Sequence, residues 1–131
     1  MIGWLTGKII SSEPGKIILS VNDVGYLISV TGKTYLCAQT SELFIHQHIR
    51  EDSDTLYGFT TKEELDLFEL LLSVSGVGPK LALLITGSGN VKTIINAIES
   101  GSPEYFRTIN GVGTKVAAKI IVELKNKISD G

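Results

Sequence analysis

Two segments 35 residues apart repeat one pattern, and this repeat restricts the fold of the chain more than any other feature. The first reads Ser75-Gly76-Val77-Gly78-Pro79-Lys80-Leu81-Ala82-Leu83-Leu84-Ile85, the second Asn110-Gly111-Val112-Gly113-Thr114-Lys115-Val116-Ala117-Ala118-Lys119-Ile120. An aliphatic residue, Val74 or Ile109, stands two places before the first glycine. Gly-Val-Gly, any residue, Lys, an aliphatic residue and Ala follow. Two glycines around one small aliphatic residue let a chain take positive φ and turn tightly. This is the pattern of a helix-hairpin-helix turn. Val77 and Val112 are expected to tuck inward and pin the turns, and Ala82 and Ala117 are small enough for close helix packing.

The turn opens a helix, so several backbone N–H groups there lack intrahelical partners. They lie at the positive end of a helix dipole, which favours an anion. Lys80 and Lys115 oppose that dipole in the first turn, and an external phosphate accounts for them. The residues expected to bind DNA are therefore Gly76, Val77, Gly78, Gly111, Val112 and Gly113 through their amides, helped by Lys80, Thr114, Lys115 and Lys119. One Gly-x-Gly fits a plain helix–helix turn equally well. Two copies in register favour the phosphate grip. Neither copy has the spacing of a P-loop, and neither follows a strand as a dinucleotide fingerprint requires.

The chain has 131 residues, 43% of them hydrophobic, enough for one domain or two small ones. It holds no apolar run of about 18 residues, so no membrane span is expected. The opening Met1-Ile2-Gly3-Trp4-Leu5 does not read as a signal peptide. A lone Cys37 excludes an internal disulfide and fits a reducing compartment. His46 and His48 read as a chance pair, so no metal and no cofactor is expected. Net charge is −2, against nucleic acid, but its distribution favours it. Residues 1–72 carry 5 basic and 10 acidic side chains; residues 73–131 carry 7 basic and 4 acidic. The positive half holds both hairpins.

Residues 1–59 read as five strands: 4–10, 17–21, 25–30, 42–49 and 53–59. Turns are expected at Glu13-Pro14-Gly15-Lys16, Asn22-Asp23 and Arg50-Glu51-Asp52. Five short strands suggest a small closed barrel of the OB type. From Thr60 the period becomes helical. Thr61-x-x-Glu64 is a capping box, and Leu65, Phe68, Leu71 and Leu72 form an apolar stripe. Helices are expected over about 91–99, after a capping Ser102 and Pro103, and from Thr114 to about Ile128. The fold class is α+β: a five-stranded OB-fold barrel (1–60), then an all-helical domain with two helix-hairpin-helix motifs (61–131).

Several motifs in order carry a family resemblance. They are Met1-Ile2-Gly3-x-Leu5-x-Gly7, Val24-Gly25-Tyr26, Arg50-Glu51-Asp52-x-x-x-Leu56-Tyr57-Gly58-Phe59, both hairpins, and Ile121-Val122-Glu123-Leu124-Lys125. With these the whole chain resembles the RuvA family of Holliday-junction-binding subunits. The resemblance implies a bacterial, cytoplasmic, non-enzymatic protein of DNA recombination, repair and the SOS response to DNA damage. It implies a homotetramer, or two tetramers as an octamer, holding a four-way DNA junction open for branch migration by the ATPase RuvB. It assigns Glu51 and Asp52 to an acidic pin at the junction centre. Two departures stand out. The family usually has a basic residue where this chain has Trp4. It also continues into a C-terminal domain that docks RuvB, so junction binding is expected to survive in this chain and the RuvB contact to be lost.

Other readings remain open on the residues alone. Such hairpins also occur in glycosylases and nucleases, and Glu63, Glu64, Asp66 and Glu69 cluster; on a helix start, acidic residues serve the dipole. No catalytic residue is therefore expected. A protein-binding module with the same hairpins is the third reading.

Overall fold

The structure, a computed structural model, describes residues 1–32 and 35–130. The chain divides into two compact units, Met1–Leu65 and Asp66–Gly131, the division falling within its first helix.

The first unit holds β1 (Trp4–Glu13), β2 (Lys16–Val21), β3 (Val24–Val30), β4 (Thr40–Arg50) and β5 (Ser53–Phe59). They close in the order β1-β2-β3-β5-β4. All pairs are antiparallel except β3 with β5, which runs parallel from Ile28↔Leu56 to Val30↔Gly58. This is the closed five-stranded barrel of an OB-fold. Period-two alternation turns Ile9, Ile17, Leu19, Ile28, Leu43 and Ile45 into its interior.

Short-range chemistry sets the turns. Pro14-Gly15 joins β1 to β2 with Gly15 at φ 82°, a conformation that suits glycine. Asn22 and Asp23 join β2 to β3, both at positive φ (49° and 68°), as a primed hairpin turn requires. At two glycines the barrel leaves no room for a side chain. A Cβ on Gly7 would collide with the Ser20 carbonyl oxygen, and one on Gly58 would lie 2.7 Å from Ile28 Cγ2.

Two strands, β1 and β4, are longer than the sequence pattern predicts by more than one residue. β1 reaches Glu13 rather than residue 10 because it serves two neighbours, β4 through Trp4–Lys8 and β2 through Lys8–Glu13. Its register shifts between Ile9 and Ser11, which makes Ile10 a bulge residue and lets the strand bend around the barrel. β4 begins at Thr40 because that residue pairs with Lys8.

The helices are α1 (Lys62–Leu72), α2 (Pro79–Thr86), α3 (Val91–Glu99), α4 (Pro103–Arg107) and α5 (Thr114–Asp130). Thr61 caps α1: its hydroxyl accepts the Glu64 N–H at 3.2 Å, while the Thr60 hydroxyl holds the Glu64 carboxylate at 2.9 Å. Asn90 caps α3 by accepting from Thr93 N–H at 2.8 Å. Ser102 differs from expectation. It occupies the N-cap position of α4 but makes no capping bond, and its hydroxyl lies 3.1 Å from that of Ser100. Pro103 at the first helical position has no N–H, which leaves one donor fewer to cap.

The repeat governs the packing of the second unit. Leu71 and Phe106, Val77 and Val112, Ala82 and Ala117, and Ile85 and Ile120 occupy equivalent places, and all eight are buried.

Candidate nucleic-acid interface

Each hairpin is closed by the same hydrogen bonds. In the first, Val74 N–H donates to Leu71, Val77 N–H to Val74 and Ala82 N–H to Gly78. In the second, Ile109 N–H donates to Phe106, Val112 N–H to Ile109 and Ala117 N–H to Gly113. Even the side-chain bonds repeat, since Ser73 Oγ donates to Leu70 O and Thr108 Oγ1 to Tyr105 O, both at 2.6 Å.

Within each turn only the first glycine needs its conformational freedom. Gly76 lies at φ 89° and Gly111 at φ 95°. Gly78 lies at φ −93°, ψ 178°, extended backbone open to any residue, and Gly113 is also outside the positive-φ range. A Cβ on either second glycine would meet nothing within 4 Å. Gly76, Gly78, Gly111 and Gly113 are all exposed, while Val77 and Val112 point inward and are buried. The missing side chains at Gly78 and Gly113 thus open space on the outside of the protein.

The amides that open these helices have no intrahelical partner. The first intrahelical bond of α2 is Ala82 N–H to Gly78 O, and that of α5 is Ala117 N–H to Gly113 O. The N–H groups of Lys80 and Leu81, and of Thr114, Lys115 and Val116, precede them in the first turns. Whereas α1 and α3 have side-chain caps, α2 and α5 begin with glycine and have no acidic residue in the first turn. The hairpin helices therefore present uncapped, positive N-termini. Lys80, Thr114, Lys115 and Lys119 are all exposed beside them. The two sites are not identical. Pro79 gives the first one amide fewer, and Thr114 gives the second an amide and a hydroxyl.

The second unit brings the two turns together. A Cβ on Gly111 would lie 3.7 Å from Leu81 Cδ1, in the first turn of α2. α5 also braces the first hairpin, with Ser75 N–H donating to Glu123 Oε1 at 3.3 Å and Lys127 Nζ to Ser73 Oγ at 3.1 Å. Lys119, Glu123 and Lys127 are four apart, hence on one helix face. Sequence reasoning quoted Glu123 only within the family motif and did not single out Lys127, because the four-residue spacing marks a shared helix face but not what that face touches.

In the first unit Glu51 and Asp52 form the two-residue turn between Arg50 and Ser53, and both are exposed. They lie in the other unit from the hairpins, so the structure groups the sequence-predicted residues into two sets. Beside them on β4, Arg50 Nε donates to His48 Nε2 at 3.0 Å. Burial, Arg50 and His46 together hold the His48 pKa below the usual histidine value. Burial also raises the Tyr57 hydroxyl pKa. Among the described residues no three His, Cys, Asp or Glu side chains are placed to hold a metal ion. No single helix among them is long and apolar enough to cross a membrane.

An OB-fold barrel joined to a doubled hairpin of uncapped, lysine-flanked turns defines a class: barrel-bearing tandem helix-hairpin-helix proteins. Comparison with known families agrees in both parts, residues 1–58 matching the RuvA N terminal domain and residues 68–126 the SAM-like helix-hairpin-helix tandem. The chain belongs to the RuvA family. It is 40% identical to the Holliday junction branch migration complex subunit RuvA of Flavobacterium psychrophilum, the match covering 98% of this chain and 68% of that protein. Identity is 43% to the protein of the same name from Chlorobium phaeobacteroides, with 98% and 66% covered. It is 45% to that from Rickettsia felis, with 98% and 65% covered. The chain thus spans about two thirds of the length of these relatives.

Proposed function

We propose that this chain binds four-way DNA junctions by shape rather than sequence and holds them open for branch migration in recombination and repair. The observation that carries this is the duplicated hairpin, with two uncapped helix N-termini in one compact unit, each opened by a bare glycine and flanked by lysine. Backbone amides and lysines recognise phosphate at any base sequence. Gly76, Gly78, Lys80, Gly111, Gly113, Thr114, Lys115 and Lys119 form the two grips; contrary to the sequence expectation, Val77 and Val112 only pin the turns, because their N–H groups are already bonded to Val74 and Ile109 and their side chains are buried. Family membership and the relatives' names support the choice of a junction over plain duplex.

In this reading Glu51 and Asp52 are the pin. Their carboxylates repel phosphates and steer strands apart at the junction centre. The chain itself is a non-catalytic subunit of an assembly in which RuvB is the motor. Residues 1–60 serve oligomerisation and the junction centre, and residues 61–131 the grips. Exposed apolar side chains on the barrel, Trp4, Ile10, Val24 and Leu27, support assembly into a tetramer.

Gel-shift titration against a synthetic four-way junction and a duplex of equal length, with mass determination of the complex, tests the proposal. Tight binding to the junction alone, by a tetramer or octamer, is expected. Affinity is expected to fall with salt by a log–log slope of about −0.9 per phosphate neutralised. Equal weak binding to both DNAs, or affinity insensitive to salt, would refute it.

A further inference from the structure

His46, His48 and Arg50 lie two apart on β4 and so share one face of the strand. The arginine sets the protons of this ladder. Arg50 Nε can only donate, so the His48 Nε2 that faces it is an acceptor. Neutral His48 then carries its proton on Nδ1, which lies 3.4 Å from His46 Nε2, and His48 donates to His46. From β5, Tyr57 meets His48 edge-on with ring centroids 6.5 Å apart, and Thr55 is its paired residue. Asp54 accepts from Gln47 Nε2 at 3.0 Å on the opposite face of the hairpin. The groups facing His48 among the described residues are therefore His46, Arg50 and Tyr57, with Glu51 and Asp52 next at the turn.

The geometry points to the His46–His48–Arg50 ladder as a proton-gated phosphate site for DNA backbone running beside the Glu51–Asp52 turn. The inference rests on the reading that this turn lies among the DNA strands. When His48 Nε2 takes a proton from solvent, it can no longer accept from Arg50. Two cationic groups, each with N–H donors, then face one another, an arrangement that repels itself unless an anion lies between them. A phosphodiester oxygen pair accepts from both. Proton and phosphate consequently bind together, each raising the affinity for the other. The guanidinium disfavours a metal ion at the same two rings.

Both histidines of the chain lie in this ladder, so a pH effect on binding in the histidine range narrows to it. The His48 pKa is to be measured by NMR without DNA and with a saturating four-way junction. Junction affinity at about pH 8 and about pH 5.5, at fixed salt, accompanies it. On DNA the pKa is expected to rise by about one unit, giving up to about tenfold tighter binding at the acid end. His48→Gln is expected to remove that gain, its own affinities at about pH 8 and about pH 5.5 agreeing within roughly twofold. An unmoved His48 pKa, or an equal acid gain in His48→Gln, would overturn the site. Equal binding of junction and duplex at about pH 8 would instead refute the junction reading; the His48 titration is then read with bound duplex, a rise supporting the site and no rise overturning it. Failure to bind any DNA would overturn both.

Discussion

Gly76 and Gly78 stand two residues apart in one turn, yet the backbone needs only the first of them. Alanine at Gly76 would force a Cβ into left-handed backbone, at about 1–2 kcal/mol. Gly78 is extended and has open space where its side chain would be. Aspartate there would be a good N-cap and would suit the helix dipole. Gly76→Ala is therefore expected to lower the unfolding free energy. Gly78→Asp is expected to leave it unchanged or raise it by up to about 1 kcal/mol, while placing a carboxylate where the phosphate belongs. Urea denaturation and junction titration on the same two variants separate the roles. Binding at full strength by Gly78→Asp would show that phosphate does not approach this turn.

At the scale of elements, side-chain caps separate α1 and α3 from the two hairpin helices α2 and α5. α1 and α3 are closed by Thr61 and Asn90. Thr61→Ala is expected to lower stability by about 1 kcal/mol without touching DNA affinity, since its donors are satisfied within the chain; a large loss of binding in this variant would contradict the division. The hairpins were legible in the sequence because the motif occurs twice in register, and the turns because Asn22-Asp23 and Pro14-Gly15 encode their own geometry. The extent of β1 was not, because Ile9 and Ile10 stand side by side where alternation expects one inward residue, and the bulge that resolves them depends on β2. The brace from Glu123 to Ser75 was also hidden, for it joins residues 48 apart through a surface contact that no local pattern announces. Ser102 misled in the opposite way, a good capping residue whose hydroxyl turns to Ser100 instead.

For the molecule as a whole, charge is the variable to test. Glu51→Gln with Asp52→Asn removes the repulsion proposed at the junction centre. The double variant is expected to bind the junction as tightly as the unaltered chain or more so, in the same gel-shift titration; clearly weaker binding would count against the pin. Acid acts on the fold as well. The His48 pKa is depressed in the folded chain, so its neutral form is favoured there. The stability this contributes is present above the unfolded value of about 6.5 and is lost as pH falls. Denaturation midpoints recorded from about pH 8 down to about pH 5.5 are expected to decline, and His48→Gln to decline less. Identical profiles would mean that other groups carry the change.

The hairpin bearing the pin also departs from the ring of strands around it. β4 pairs with β1 only as far as Phe44, and from His46 to Arg50 it pairs with β5 alone. Such strand edges can recruit another strand, and charged side chains are what usually prevents it. Exposed Ile49 lies next to Arg50, Glu51 and Asp52. The carboxylates proposed to part DNA strands thus also guard the protein against its own copies. Stripped of them, this hairpin is the place where concentrated protein would begin to form fibres, and light scattering of the neutral-tipped variant against the unaltered chain would reveal it.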